Sequence, residues 1–254
     1  TLTIIISQSG ETADTLAALK EAKKRGSHTL AIVNVVGSSI ANAADDVIYT
    51  WAGPEIAVAT TKGYSTQLSV LYLFAVWAAR LLKTADGARL DKIFDDILML
   101  PELTERVILA EPQIKETAKH CGDPKSLFFI GRNIDYAVSL EASLKLKEIS
   151  YIHSEAYAAG ELKHGTISLI EEGRTVIALA AYEELFDKLL NNIKEVKARG
   201  ARVLACATVG HAEIAKEAES VIYIPKIDPL LLASLEVVPF QLYAYYVALY
   251  NGCD

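Results

Sequence analysis

The chain has 254 residues, 52% of them apolar, and carries a formal net charge of −7. That length allows one large core or two domains of ordinary size. Binding a nucleic-acid backbone requires a basic face, so this acidic balance argues against a nucleic-acid partner. The three cysteines form no C-x-x-C pair, which argues against a disulfide framework and a zinc site and favours a reducing, cytoplasmic setting.

Short apolar runs alternate with longer amphipathic ones from the first residue onward. The runs predict strands at 2–7, 29–34 and 47–50, with helices at 12–25 and 39–44 between them. Continuous apolar runs are typical of strands buried on both faces of a parallel sheet. The alternation therefore predicts an α/β fold, with doubly wound domains whose mostly parallel sheets are flanked by helices.

The most apolar helical stretch lies at 68–82. Ser69 interrupts it, and at this length it falls short of a membrane span. We predict a buried core helix here and no membrane partner.

An internal repeat relates the two ends of the chain at a spacing of 174 residues. Lys20-Glu21 recurs as Lys194-Glu195, and Val47-Ile48-Tyr49 recurs as Val221-Ile222-Tyr223, with no gap needed. A period this long indicates two tandem domains rather than a solenoid.

The repeat also predicts where the domains begin and end. The second copy starts with an apolar strand at 127–131, and its counterpart in the first copy would lie before Thr1. The first domain is therefore expected to lack its N-terminal strand, which leaves an open sheet edge. We predict a first domain at 1–83, a helical linker at 84–123 and a second domain at 124–254.

A candidate phosphate site follows the first predicted strand. The hydroxyls of Ser7, Ser9 and Thr12, together with the Gln8 amide, precede a helix whose N-terminus offers free N–H groups. Such a turn can hold a phosphate without Lys or Arg. The alternative is an ordinary capped helix, since Ser and Thr are common N-caps. The second copy has Ala181–Glu184 at the matching place, with two acids and no Gly, and this asymmetry favours an anion site in the first copy alone.

The second copy carries the acid–base candidates. Lys145 and Glu148 stand three residues apart, so they share a helix face, although a solvated ion pair is the alternative. His164 lies between Gly160 and Gly165, which suggests a close backbone approach; a loop imidazole without a role is the alternative. No His or Cys pair has ligand spacing, so we expect no metal.

Several segments carry a resemblance to known enzymes. The Ser-x-Ser-Gly-x-Thr pattern of residues 7–12 resembles the phosphate loop of the sugar isomerase (SIS) domain family. Residues 144–153 and 155–165, with 31–38 and 52–56, resemble the isomerase half of the glucosamine-6-phosphate synthase family. The likeness runs along essentially the whole chain.

The resemblance implies an isomerising aminotransferase that converts fructose 6-phosphate to glucosamine 6-phosphate without a cofactor. It assigns proton transfer between sugar carbons 1 and 2 to Glu148, places Lys145 beside it, and gives opening of the sugar ring to His164. It also implies substrate contacts from Val58 and Thr60, in a turn where the family usually has Gly at position 57 and Ser at position 60.

The resemblance implies partners as well. A glutaminase domain of the parent chain would supply ammonia, and a homodimer would bring His164 to the partner subunit's site. The family uses a lysine in a C-terminal tail that these residues do not include, so we expect them to be inactive alone. Two alternatives stay open: a sugar-phosphate-sensing SIS module and a fructosamine-phosphate deglycase. The Lys-x-x-Glu and Glu-Leu-Lys-His-Gly segments favour the synthase over the sensing module.

Overall fold

The computed structural model describes residues 1–119 and 126–253, and the chain divides into two compact units, Thr1–Phe94 and Asp95–Asp254. The predicted boundaries at 83/84 and 123/124 stay predictions, and the second of them lies outside the described residues. We refer to the two halves as unit 1 and unit 2.

Unit 1 is built on three parallel strands in the order β1-β2-β3. The elements of unit 1 are β1 (Leu2–Ser7), α1 (Ala13–Lys24), β2 (His28–Val33), α2 (Ser39–Ala43), β3 (Asp46–Tyr49), α3 (Lys62–Leu82) and the start of α4 (Gly87–Ile108). The three strands and the helices α1 and α2 are present within two residues of their predicted ends, whereas α3 begins six residues before the stretch predicted at 68–82. The core lies between α1, α2 and one sheet face, where Leu19, Val33 and Ile40 are fully buried.

The opposite face of β1 is not covered. Leu2, Ile4 and Ile6 are 47%, 36% and 41% exposed, so the prediction of burial on both faces is wrong for this strand. Residues i, i+2 and i+4 of a strand share a face, and on this face α3 lines a groove next to Leu2 without burying the three side chains.

The prediction that residues 68–82 form a buried core helix is also wrong. In α3 only Gly63 and Val76 are buried, and Trp77 and Leu81 are more than half exposed. Together with the sheet, α3 lines an apolar groove of about 540 Å³. The helix is apolar on all sides, and the described part of unit 1 offers no partner for its outer side.

Unit 2 holds a five-stranded parallel sheet in the order β5-β4-β6-β7-β8. Its elements are the rest of α4, then α5 (Glu111–Lys119), β4 (Leu127–Gly131), α6 (Ile134–Ser150), β5 (Ser154–Ala158), β6 (Thr175–Ala180), α7 (Phe186–Lys197), β7 (Arg202–Thr208), β8 (Ser220–Ile224) and α8 (Leu232–Tyr250). Strands β4 and β6 are buried along their whole length, as continuous apolar runs predict.

The repeat of 174 residues corresponds to matching elements. Strands β1, β2 and β3 correspond to β6, β7 and β8, and helices α1 and α3 correspond to α7 and α8. Unit 2 has in addition β4, α6 and β5, and α6 and α5 pack against α8. The two parallel sheets flanked by helices agree with the predicted α/β fold.

Within the described residues, two helices are long and apolar enough to cross a membrane, judged by length and composition alone: Lys62–Leu82 and Pro229–Tyr250. The apolar stretch of the second is 78% buried, which makes it a core helix of unit 2, whereas that of the first is 6% buried. The prediction that the first helix is too short for a span is wrong, because it begins at Lys62 and has 21 residues.

Candidate functional site

The turn after β1 gathers the predicted phosphate ligands of unit 1. Ser7 Oγ accepts from the Gly10 N–H at 3.0 Å and hydrogen-bonds Thr12 Oγ1 at 3.2 Å. Ser9 Oγ accepts from the Glu11 N–H at 3.2 Å. Thr12 occupies the N-cap of α1 without capping it through its side chain, so its hydroxyl is turned toward Ser7 rather than toward the helix.

Gly10 fixes the shape of this turn. Its φ of +69° is in the left-handed region, and a Cβ there would lie 2.0 Å from Ser38 Oγ. Glycine is therefore required for both conformation and space. The Ile40 N–H of α2 donates to Gly10 O at 2.9 Å and holds the turn against that helix. Ser9 and Thr12, on the other side of the turn, remain accessible to solvent.

Gln8 and Thr60 approach one another at the start of α3. A Cβ on Gly63 would lie 3.3 Å from Gln8 Cγ and 2.7 Å from Thr60 Cγ2, so both side chains lie against this glycine. The Gly63 N–H donates to Glu55 Oε1 at 2.8 Å. Val58 is 97% exposed in the preceding loop. The substrate contacts predicted for Val58 and Thr60 stay predictions.

The matching turn in unit 2 receives a carboxylate of the protein itself. The Tyr182 N–H donates to Asp135 Oδ1 at 3.1 Å and Oδ2 at 3.3 Å, and Asp135 is 1% exposed. Tyr182 corresponds to Gln8 in the repeat. At the position of unit 2 that corresponds to Gln8, the backbone N–H therefore meets a side chain of the protein.

Asp135 has an unusual environment that sequence reasoning missed. Burial raises the pKa of its carboxyl to about 8, and the N–H groups of Tyr182 and Ala181 offset only part of that rise. Glu236 is fully buried nearby; burial and the Asp135 charge raise its pKa well above the usual range. Asp135 and Glu236 are 101 positions apart in a sequence that carries no local signal for the pair.

Lys145 and Glu148 meet on α6, as their spacing predicts. Lys145 is 4% exposed, and its ammonium forms an ion pair with Glu148, whose side chain is 30% exposed. Glu141 Oε1 lies 3.5 Å from the same Nζ. Burial raises the pKa of Glu141, and the nearby Lys145 charge opposes the rise. Sequence reasoning missed Glu141, although its i, i+4 spacing to Lys145 is the signal that could have found it.

His164 ends a short 3₁₀ helix, Ala159–His164, that follows β5. Its side chain is 75% exposed, and its only described charged neighbour is Glu161, with Oε2 3.8 Å from Nε2. Gly165 follows with φ +138° and open space around it, so this glycine serves backbone conformation.

The backbone at Gly160 is closely approached by another group, as the sequence suggested. That group is a side chain of the protein itself. A Cβ on Gly160 would lie 3.2 Å from Arg132 Nη1. The guanidinium of Arg132 thus packs directly on the backbone of the loop that carries His164.

The structure brings Ser7, Ser9 and Thr12 together in unit 1, and Lys145 with Glu148 in unit 2. Within the described residues, no group of three or more His, Cys, Asp or Glu side chains could hold a metal ion. The hydroxyls and N–H groups of the first turn suit an anionic oxygen ligand.

Comparison with known proteins places this geometry in a family. The SIS domain model matches residues 1–77 and 122–250. The chain is 55% identical to the glutamine–fructose-6-phosphate aminotransferase (isomerising) of Clostridium tetani and 53% identical to that of Clostridium acetobutylicum, each over its whole length. It spans 42% of the length of either relative.

A solved structure gives the same result. The chain is similar to the C-terminal domain of glucosamine-fructose-6-phosphate aminotransferase from Francisella tularensis, with a TM-score of 0.96 and 34% identity. The match covers all of this chain and 72% of that one. The resemblance predicted from the segments at 7–12, 144–153 and 155–165 is confirmed, and the chain belongs to the SIS domain family, as an isomerase half like those of the glutamine–fructose-6-phosphate aminotransferases.

Proposed function

We propose that this chain is the isomerising part of an enzyme that makes glucosamine 6-phosphate from fructose 6-phosphate and glutamine-derived ammonia. The observation that carries the proposal is the turn at Ser7–Thr12, where the Ser7 and Thr12 hydroxyls meet at a helix N-terminus and Ser9 and Thr12 are accessible. The relatives' names supply the reaction. We expect a cytoplasmic enzyme whose ammonia comes from a glutaminase domain.

In the proposed mechanism the substrate phosphate binds Ser7, Gln8, Ser9 and Thr12, with Val58 and Thr60 as further substrate contacts. Glu148 takes a proton from sugar carbon 1 and returns it to carbon 2, so the ketose derivative becomes an aldose with no net change in protons. Lys145, between two carboxylates, orients Glu148. His164 moves the proton that opens the sugar ring.

Calorimetry with fructose 6-phosphate tests the phosphate site. A hydrogen bond to a charged group contributes about 1.5–3 kcal/mol, so Ser9→Ala and Thr12→Ala should each weaken binding roughly 10- to 100-fold. Thr84→Ala, in an exposed turn of unit 1, is the matched control and should bind as the unaltered chain does. Equal affinity in the double variant and the control would mean that the turn is structural.

We further propose a homodimer in which His164 reaches the partner subunit's site, which its exposed position permits. Two variants of the active enzyme, Glu148→Gln and His164→Ala, should then complement each other when mixed. Recovery of activity through hybrid dimers is the expected result. No recovery after confirmed subunit exchange would contradict shared sites.

We propose that Lys145 is not the amine that attacks the keto carbon of fructose 6-phosphate. The amine of Lys145 is held against Glu148 and Glu141 and is a poor nucleophile there. Turnover by the isolated chain in a direct product assay would show that a catalytic amine lies within it.

A further inference from the structure

The loop that carries His164 is anchored at two apolar points and is otherwise exposed. Ala159 and Leu162 are buried in the core of unit 2, whereas Glu161, Lys163 and His164 face outward. The two buried side chains fix the position of the short 3₁₀ segment. They restrain only weakly its rotation about its own axis and the exposed residues after Leu162. The direction of the His164 imidazole therefore depends on what else holds the segment.

A chain of polar contacts reaches this segment from the turn before α6 and from α7. Arg132 donates from Nε and Nη2 to Asn192 Oδ1, at 3.0 and 2.9 Å. Asn192 Nδ2 donates to Glu195 Oε2 at 3.1 Å, and Lys163 Nζ lies 2.8 Å from Glu195 Oε1. The chain thus runs from the turn before α6, across α7, to the residue next to His164.

Asn192 is the unusual member of this chain. It is 6% exposed on α7, among buried apolar positions that include Leu189, Ile193 and Val196. A buried amide is costly unless its groups are paired. Here the oxygen accepts two N–H groups of one guanidinium and the nitrogen donates to a carboxylate, so the position is built for these contacts.

Arg132 touches the segment directly as well. Its guanidinium lies against Gly160, where any Cβ would come within 3.2 Å of Nη1. The segment is thus held at Gly160 by the guanidinium plane and at Lys163 by Glu195, one contact near each end.

We propose that Arg132, Asn192 and Glu195 are positioning residues that fix the 159–165 segment and so direct the His164 imidazole. They act through the loop and do not touch substrate. The inference rests on the function proposed for His164, but the geometry it asserts can be tested without turnover.

The test is amide hydrogen exchange on the 254-residue chain with Asn192→Ala, against Asn191→Ala as the matched control. Asn191 is the exposed neighbour of the same type on the same helix. We expect amides of 159–165 to exchange at least about tenfold faster in Asn192→Ala, with β4 and β6 unchanged, and no change in Asn191→Ala. Unchanged exchange at 159–165, or faster exchange throughout unit 2, would overturn the proposal.

Lys163→Met keeps the test valid if Asn192→Ala fails to fold, since Lys163 is a surface residue whose loss removes only the outer contact. It should increase the amplitude of His164 side-chain motion in NMR relaxation, and an unchanged amplitude would count against positioning.

In the active enzyme, Asn192→Ala should lower kcat with little change in KM. The same substitution should have no further effect in a His164→Ala background. If the two substitutions instead lowered kcat additively, Asn192 would not act through His164. A faster-exchanging loop together with full activity of His164→Ala would instead overturn the proposed function while leaving the positioning geometry intact.

Discussion

The carboxyl ends of β1 and β6 carry the same strand–turn–helix frame, but different groups meet the N–H donors of the two turns. In unit 1 the turn is lined by Ser7, Ser9 and Thr12 and opens outward. In unit 2 the turn contains Ala181 and two acids, and the Tyr182 N–H is bound to the buried carboxyl of Asp135. The hydroxyls of the first turn stay accessible, whereas an N–H donor of the second turn is occupied by a buried side chain.

The difference shows how two copies of one domain can use the same turn for different purposes. A helix N-terminus favours negative charge whatever its source. In unit 2 the carboxyl of Asp135 occupies the Tyr182 N–H donor, and its raised pKa means that it does so largely without a negative charge near neutral pH. Unit 2 instead carries Lys145, Glu148 and His164, the residues for which we propose acid–base roles.

The largest expected effect is a dependence of stability on pH, caused by the buried carboxyls of unit 2. The raised pKa of Asp135 and of Glu236 means that the folded chain binds more protons than the unfolded chain. Stability should therefore fall as pH rises from about 4 to about 8, by up to about 1.4 kcal/mol per pH unit for each proton. Urea unfolding at several pH values measures this slope.

Two substitutions sharpen that prediction. Asp135→Asn with Glu236→Gln should flatten the pH dependence of unit 2, because neither amide titrates. Asp187→Asn, at an exposed position of α7, is the control and should leave the slope in place. Equal slopes in all three proteins would show that the carboxyl pair does not hold extra protons.

The next effect concerns the turn of unit 1. Gly10→Ala requires φ near +69° for an alanine and overlaps Ser38, and the two costs together should be about 3 kcal/mol. Gly37→Ala has a similar φ of +74° with nothing within 4 Å, so it should cost about 1 kcal/mol. Denaturant unfolding of both variants, followed by a probe in unit 1, measures the two losses of stability. The difference between them is the steric cost of Gly10→Ala, and the loss in Gly37→Ala is the conformational cost.

A double variant checks the steric explanation. Ser38→Gly should recover part of the loss in Gly10→Ala, since the overlapping atoms belong to the Ser38 side chain. No recovery would mean that the backbone conformation alone sets the cost.

The smallest expected effect is a gain in the stability of unit 2. Asn133 stands before α6 at φ +53° and ψ −119°, a conformation suited to glycine. Asn133→Gly should stabilise unit 2 by about 1 kcal/mol, measured as a higher urea midpoint. Asn191→Gly, within α7, should do the opposite. A loss of stability in Asn133→Gly would mean that the side-chain hydrogen bond between Asn133 and Tyr182 outweighs the relief of backbone strain.

Local patterns predicted much of this molecule correctly. Apolar runs located β1 and β4 at their observed ends, and the i, i+3 spacing placed Lys145 against Glu148. The helix start at Thr12 followed from its residue types. These features depend on neighbours in sequence, which a single sequence records.

Features that depend on distant residues escaped prediction. The contact between Asp135 and the Tyr182 N–H joins positions 47 apart, and no periodicity signals it. The apolar composition of α3 predicted burial, but burial also requires a covering element, and α8 has α6 and α5 where α3 has no described counterpart. The close approach at Gly160 was expected, whereas its neighbour, Arg132, could not be inferred from spacing.

We propose that unit 1 alone has an anion site at the turn that the repeat shares. Titration of the ¹⁵N-labelled chain with fructose 6-phosphate, followed by amide chemical shifts, tests this proposal. We expect saturable shifts at residues 7–13 and none at the matching residues 181–187. Equal shifts at both turns, or shifts at 181–187 alone, would contradict it.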